Sequence, residues 1–290
     1  MAELLKNIIN LMRPLQWYKN ILIFLPLFFS GLLFEPLSFV LTIAGFFLLC
    51  TLSSANYIIN DIIDRKKDRK NPEKKNRPIA AGKLSTLAAS ILALFLAIIS
   101  LSLAFLLSFE FFLILLIFFL LTQSYSIFLK EEAIIDVILI SINFVLRAVS
   151  GALLINVEIS RWLIVGTFAL ALFLAISKRY SELKMLGENA SKHRKVYRFY
   201  TPEMLKAMLI ITTGILFISY IMFSLFSDHE GLFYSLPVVV YPIFRFYYLI
   251  ETNSTIPRNL ERFYKDKKLT AAILITGIVI FTILYLEHFF

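Results

Sequence analysis

The chain has 290 residues, 59% of them hydrophobic and only 17% charged, with a mean hydropathy of +0.79. That composition excludes an ordinary soluble domain. The net charge of +9 would suggest nucleic acid in a soluble protein, but here the cations fall in separated loops and the aromatic residues inside apolar runs, so no nucleic-acid partner is expected and the charge reads as the positive-inside bias of a membrane protein.

An amphipathic start, Leu4 to Met12, opens the chain and lacks the basic beginning and small-residue cleavage site of a secretory signal. Apolar runs follow at roughly 17–34, 37–59, 85–108, 110–129, 133–156, 161–181, 204–227, 231–250 and 269–289. Each is near the ~20 residues that a helical crossing needs. The prediction is an all-α, polytopic membrane protein with nine transmembrane helices, the first kinked at Pro26. No separate soluble stretch, low-complexity segment or solenoid period interrupts the runs, so 1–290 reads as a single domain. A homo-oligomer is compatible with such a chain.

Charge gives the orientation. The N-terminal segment carries Lys6, Arg13 and Lys19, and dense basic stretches fill Arg65 to Lys83, Lys184 to Arg198 and Arg258 to Lys268. Glu35, Glu110, Glu158, Asp228 and Glu230 mark the opposite side, where Arg161 is the one cation. The expectation is an inner cell membrane protein with its N-terminus cytoplasmic and its C-terminus outside. The long loops 60–84, 182–203 and 251–268 then share the cytoplasmic side, where function is expected. Cys50 is the single cysteine and reads as packing, while His193, His229 and His288 lack metal-ligand spacing.

Four constellations carry chemistry. The first closes the second run: Asn60, Asp64 and Asp68 at i, i+4 and i+8 share a helix face, with Asp61 beside them. Such acids can simply pair with Arg65, Lys66, Lys67 and Arg69. At a membrane surface, however, an acid cluster is a functional hypothesis by default, and three carboxylates with an amide oxygen suit Mg²⁺ carrying substrate phosphates. After it comes Arg77, set by Pro78 ahead of a small-residue turn, a placement suited to bidentate phosphate contact. The second, Lys178-Arg179-Tyr180-Ser181-Glu182, reads either as an i, i+4 pair or as phosphate capture with Glu182 as metal ligand or orienting acid. The third is Arg13-Pro14-Leu15-Gln16-Trp17-Tyr18-Lys19-Asn20. An interfacial aromatic belt explains Trp17 and Tyr18, but not the amides Gln16 and Asn20. The fourth is Arg147 in the fifth run, an expensive charge that must face the bundle interior and a partner; Tyr125, Ser126 and Lys130 stand on the same cytoplasmic side as contributors.

These residues resemble a family. RPLQWYKN at 13–20, NDIIDRKKD at 60–68, NRPIAAG at 76–82, YSIFLK at 125–130, FVLRAVSGA at 144–152 and ALFLAISKRYSEL at 171–183 are similar to stretches of the UbiA superfamily of intramembrane prenyltransferases, and within it most closely of the decaprenyl-phosphate phosphoribosyltransferases. Arg245 to Leu249 and Lys265 to Leu269 fit as well. The acidic motif marks the superfamily; RPLQWYKN together with KRYSE narrows it.

The resemblance implies a UbiA-like bundle whose cytoplasmic-side site transfers 5-phosphoribose from phosphoribosyl diphosphate to a polyprenyl phosphate, releasing diphosphate. It implies Mg²⁺ held by Asn60, Asp61, Asp64 and Asp68, the aspartates being catalytic. Lys19, Asn20, Arg77, Tyr125, Lys130, Arg147, Lys178, Arg179 and Glu182 would bind substrate. Prenyltransferases with aromatic acceptors resemble one another in a second aspartate-rich motif; this chain has Lys178, Arg179 and Glu182 there, which suits a donor with an extra phosphate. The rivals are a prenyltransferase using prenyl diphosphate, which requires a second acid pair at 178–182, and a transporter, which requires paired Gly/Pro interruptions within its spans.

Overall fold

The computed structural model describes residues 2–71, 74–187 and 190–285, and among these there are helices and turns but no strand. The end of the ninth apolar run, 286–289, lies outside the described residues. Among the described residues seven helices are long and apolar enough to cross a bilayer: α3 (Pro36–Asp68), α4 (Thr86–Leu107), α5 (Phe109–Ile127), α6 (Ile135–Leu154), α7 (Arg161–Leu186), α9 (Pro202–Leu225) and α12 (Lys267–Tyr285). Shorter helices complete the series: α1 (Ala2–Met12), α2 (Leu25–Phe29), α8 (Ala190–His193), α10 (Gly231–Tyr234) and α11 (Leu236–Glu251). The protein is therefore an all-helical, multi-pass membrane protein.

The chain divides into two compact units. The first comprises Met1–Leu129 with Leu146–Glu158; the second comprises Lys130–Val145 with Ile159–Phe290.

In the first unit α3 is the organising rod. Its 33 residues reach roughly 50 Å at 1.5 Å per residue, well beyond the ~30 Å of hydrocarbon. The start is fixed by Glu35, whose side chain accepts from Leu37 N (3.2 Å) and Ser38 N, with Pro36 in the first turn. At the other end the helix continues past the apolar run, so Asn60 to Asp68 stand on a rigid extension of it. α4 packs along α3 through Ala89, Ala93, Ala97 and Ala104, and Ser100 Oγ donates to Leu48 O at 2.7 Å.

The first apolar run differs from its expectation. It is a 3-10 helix over Pro14–Phe24 followed by the five-residue α2, with Pro26 in the first turn of α2, where its missing N–H is harmless. The run lies antiparallel along α3: Arg13 reaches Asp61, Trp17 reaches Ser54, Asn20 reaches Cys50, and Ile23 faces Gly45. These polar and close contacts tighten the backbone at the expense of a regular α-helix. Gly151 of α6 is part of the same packing, because a Cβ there would collide with the carbonyl oxygen of Ile23.

In the second unit α7 and α9 pack together, and the shared core includes Phe173, Ile176, Leu205, Leu209 and Phe246. Thr201 caps α9, its Oγ1 accepting from Met204 N at 3.1 Å. The eighth run is also broken, into α10 and α11, because Pro237 starts a new helix. Pro242 inside α11 cannot donate to Val238 O, and Thr276 Oγ1 of α12 donates to that carbonyl instead at 3.0 Å. This run lies antiparallel to α12, with Gly231 facing Ile283, Val238 beside Thr276, and Arg245 paired with Asp266 at 2.7 Å.

Candidate active site

The first unit gathers the acidic motif and its neighbours. Asp61 and Asp68 are buried, 2% and 3% exposed, on the face of α3 turned toward the rest of the unit. Three aspartates near a helix C-terminus oppose the negative end of the helix dipole. Two arginines offset this. Arg13 donates to Asp61 Oδ1, and Arg77 Nη1 bridges Asp61 Oδ1 (3.0 Å) and Asp68 Oδ2 (2.7 Å). Asp64 and Asn60 are half-buried on the same helix.

Local structure explains why Arg77 returns to α3. Pro78, Ile79 and Ala80 are buried, Ala81 N donates to Arg77 O (2.8 Å), and Arg69 Nε donates to Ala80 O (2.9 Å). Gly82 then supplies the left-handed turn, φ +73°, that leads toward α4. Arg13 occupies the same backbone region at φ 54°, a costly conformation for a side chain with a Cβ, and it ends α1 there.

Deeper in the unit lies a buried polar network. Arg147, 6% exposed, donates from Nε to Asn20 Oδ1 (2.8 Å) and stacks over the Phe118 ring at 4.7 Å. Asn20 also accepts from Ser53 Oγ (3.3 Å) and donates to Cys50 Sγ (3.2 Å), while Trp17 Nε1 donates to Ser54 Oγ (3.1 Å). The interior partner expected for Arg147 is thus, in part, an amide, and Cys50 is buried packing with a polar contact. Gln123 of α5 donates to Asn56 Oδ1, leaving Asn56 Nδ2 and Gln123 Oε1 buried without partners. Lys19 lies 5.8 Å from the Tyr18 ring centroid, and Tyr125 is half-buried.

The second unit holds the α7 motif. Arg179 is buried and donates from Nε to Asp136 Oδ2 (2.9 Å), with Nη1 3.6 Å from Glu182 Oε2. Asp136 is fully buried and also accepts from the Tyr200 hydroxyl (2.6 Å), which itself accepts from Ile134 N (2.7 Å). Tyr197 donates to Glu182. Burial, and then the neighbouring carboxylates, push both tyrosine hydroxyls well above the ordinary range, so they remain neutral donors. Arg194 donates to Lys130 O (3.0 Å). Lys178 is the exposed member of the motif, 45% accessible and 3.9 Å from Glu182 Oε1, the i, i+4 pair that its spacing predicts.

The structure therefore brings Asp61, Asp68 and Arg77 together, Asn20 with Arg147, and Arg179 with Glu182. Asp136, Arg194, Tyr197 and Tyr200 were not singled out by sequence reasoning. Asp136 carried a usable signal, an acid within an apolar run. The others sit in a basic loop where nothing distinguishes them.

No three His, Cys, Asp or Glu among the described residues are grouped closely enough to hold a metal ion. The donor chemistry nevertheless fits a hard divalent cation: carboxylates repeated on one face of α3, two of them satisfied by arginine rather than by backbone.

Comparison with known proteins gives the family. The model of the UbiA prenyltransferase family matches residues 21–265. The chain belongs to the UbiA prenyltransferase family. A Corynebacterium glutamicum relative named decaprenyl-phosphate phosphoribosyltransferase is 31% identical over 253 residues, 83% of this chain and 75% of that protein. A Mycolicibacterium smegmatis protein of the same name is 27% identical over 233 residues, 79% of this chain and 73% of its own. A UbiA homologue from Archaeoglobus fulgidus, solved bound to GPP and Mg²⁺, superposes with a TM-score of 0.72 at 20% identity, covering 96% of this chain and 99% of that one. The UbiA fold is thereby shown, and the UbiA match takes in the acidic motif of α3 and the basic motif of α7 alike.

Proposed function

We propose that this UbiA-family protein transfers 5-phosphoribose from phosphoribosyl diphosphate to a polyprenyl phosphate and releases diphosphate. The observation that carries the reading is the contrast in charge between its two motifs: carboxylates on α3, but Lys178 and Arg179 with a single acid, Glu182, on α7. A prenyl-diphosphate enzyme of this family calls for acids at both. The names of the actinobacterial relatives support the same choice.

In this reading an anionic phosphate-monoester oxygen of the lipid attacks the anomeric carbon, the bond from that carbon to the diphosphate oxygen breaks, and diphosphate leaves with the electron pair. The nucleophile is already deprotonated, so no general base is required. Asn60, Asp61, Asp64 and Asp68 would hold Mg²⁺. When bound, that ion would neutralise charge on the leaving diphosphate. Arg77 is placed on the same carboxylates and would contact donor phosphate from there. Lys178 offers a solvent-facing ammonium for a second phosphate. Lys19, Tyr125 and Lys130 contribute further polar contacts. Asn20 and Arg147 position one another beneath the site, and Arg179 acts through Asp136 and Glu182.

The membrane arrangement follows from charge. The first run traverses the length of α3 from Asp61 to Glu35 and the eighth that of α12, so we count both as crossings and nine in all. Eleven 3-10 residues and five α residues span roughly 30 Å, the thickness of the hydrocarbon. Positive-inside charge then puts the N-terminus, both motifs and the active site on the cytoplasmic face of the inner membrane, with the C-terminus outside. Both units belong to one domain in this account.

The test uses membranes holding the protein, supplied with labelled phosphoribosyl diphosphate, Mg²⁺ and polyprenyl phosphate, or else with labelled prenyl diphosphate and an aromatic acid. Label enters lipid in the first mixture. Label entering product only in the second establishes the prenyltransferase alternative. Asp64→Asn abolishes turnover, and full activity in that variant removes the metal assignment.

A further inference from the structure

A cavity of about 370 Å³ lies between α11 and α12, lined by Val238, Tyr241, Lys268, Ala271, Ala272 and Ile275. Its origin is legible in the chain. Pro242 disturbs α11 one turn after Val238, and α12 presents the small Ala271 and Ala272 between Lys268 and Ile275, so a crevice remains beside the Thr276–Val238 contact. The cavity opens toward lipid: Tyr241 and Ile275 are each about half exposed, and Leu274 and Ile278 on the same helix are more so. All of its lining is apolar except the Tyr241 hydroxyl and the ammonium of Lys268.

Lys268 forms no ion pair among the described residues. The nearby carboxylate, Asp266, is occupied: it takes Arg245 Nη2 at 2.7 Å and Leu269 N at 2.7 Å, and the Arg245 contact holds it below its ordinary pKa. Lys268 interacts with Asp266 only at longer range, without an ion pair, and stands at the mouth of the cavity together with Lys267, Lys265 and the positive end of α12. Basic pockets between membrane helices are where anionic lipid headgroups bind. A helix about 10 Å wide cannot enter a cavity of this volume, whereas one lipid chain can.

We propose that this crevice is a binding site for one anionic phospholipid, with a chain against Val238, Ala272 and Ile275 and its phosphate on Lys268. None of its lining residues is among those assigned to the transfer reaction.

The experiment is native mass spectrometry of the full-length protein released from nanodiscs of phosphatidylcholine containing one fifth phosphatidylglycerol. The wild type retains phosphatidylglycerol in preference to phosphatidylcholine. Lys268→Gln lowers that retention several-fold, and Ala272→Phe, which fills the crevice, does the same. Arg198→Gln, an exposed cation before α9, leaves it unchanged. Equal retention by wild type and Lys268→Gln overturns the proposal, as does an equal loss in Arg198→Gln, which marks a diffuse charge effect. Retention of a polyprenyl phosphate carried over from the expression membrane in place of phospholipid overturns it too. Should Ala272→Phe fail to fold, the Lys268→Gln comparison decides alone.

Discussion

Removing the Asp136 carboxylate tests how the α7 motif is held. Asp136 is fully buried and carries Arg179 at 2.9 Å and the Tyr200 hydroxyl at 2.6 Å, while Arg179 itself is 3% exposed. Asp136→Ala leaves a buried guanidinium without its principal counter-charge, a loss of about 3–5 kcal/mol. Glu182, 3.6 Å from Arg179 and a quarter exposed, recovers a small part of this. Arg179→Leu leaves the buried carboxylate with only the Tyr200 hydroxyl and, at 3.9 Å, Arg194, and costs about as much. The double variant Asp136→Ala/Arg179→Leu removes both charges; what remains is chiefly the Tyr200 hydroxyl without its acceptor, about 1–3 kcal/mol. The singles therefore sum to about 6–10 kcal/mol against a double of about 1–3, and the cycle is strongly non-additive. Equilibrium unfolding in mixed micelles, followed by tryptophan fluorescence, measures all three. Single variants within about 1 kcal/mol of wild type, or a double equal to the sum, would refute the claim that this pair is buried and mutually dependent.

Three further outcomes are expected. Gly151→Ala forces a methyl into the Ile23 carbonyl and lowers stability by about 1–3 kcal/mol, read as a lower melting temperature, with Ala152→Gly as a control for helix propensity. Asn56→Leu/Gln123→Leu removes two buried amide atoms that lack partners and raises the melting temperature or leaves it unchanged; a marked fall would show that the pair is structurally required. The Tyr200 pKa is raised on folding, so its contribution to stability is complete below the ordinary tyrosine value of about 10 and fades as pH climbs beyond it. Melting temperature against pH therefore falls more steeply above pH ~10 in the wild type than in Tyr200→Phe.

Period and composition were sufficient for the seven long helices and for the acid motif on α3, because both depend on local pattern alone. Arg77 was legible for the same reason, since Pro78 and Gly82 fix its turn within a few residues. Contacts between distant segments were not. Nothing near Asp61 announces Arg13, and nothing near Arg179 announces Asp136, 43 residues away. Hydropathy shows the first run as a helix kinked at Pro26 and the eighth as one helix, because it distinguishes neither an apolar α-helix from an apolar 3-10 segment nor one apolar helix from two in sequence. Pro237 and Pro242 were the available cue in the eighth run, and the polar Gln16, Trp17 and Asn20 in the first.

The 3-10 run from Pro14 to Phe24 has a consequence for biosynthesis. An eleven-residue stretch of that geometry has poor internal hydrogen bonding and does not persist alone. Its anchor, Asn20, bonds to Arg147, which the ribosome adds 127 residues later. This segment thus cannot complete its packing when it is made, and the nascent chain must hold it provisionally until α6 arrives.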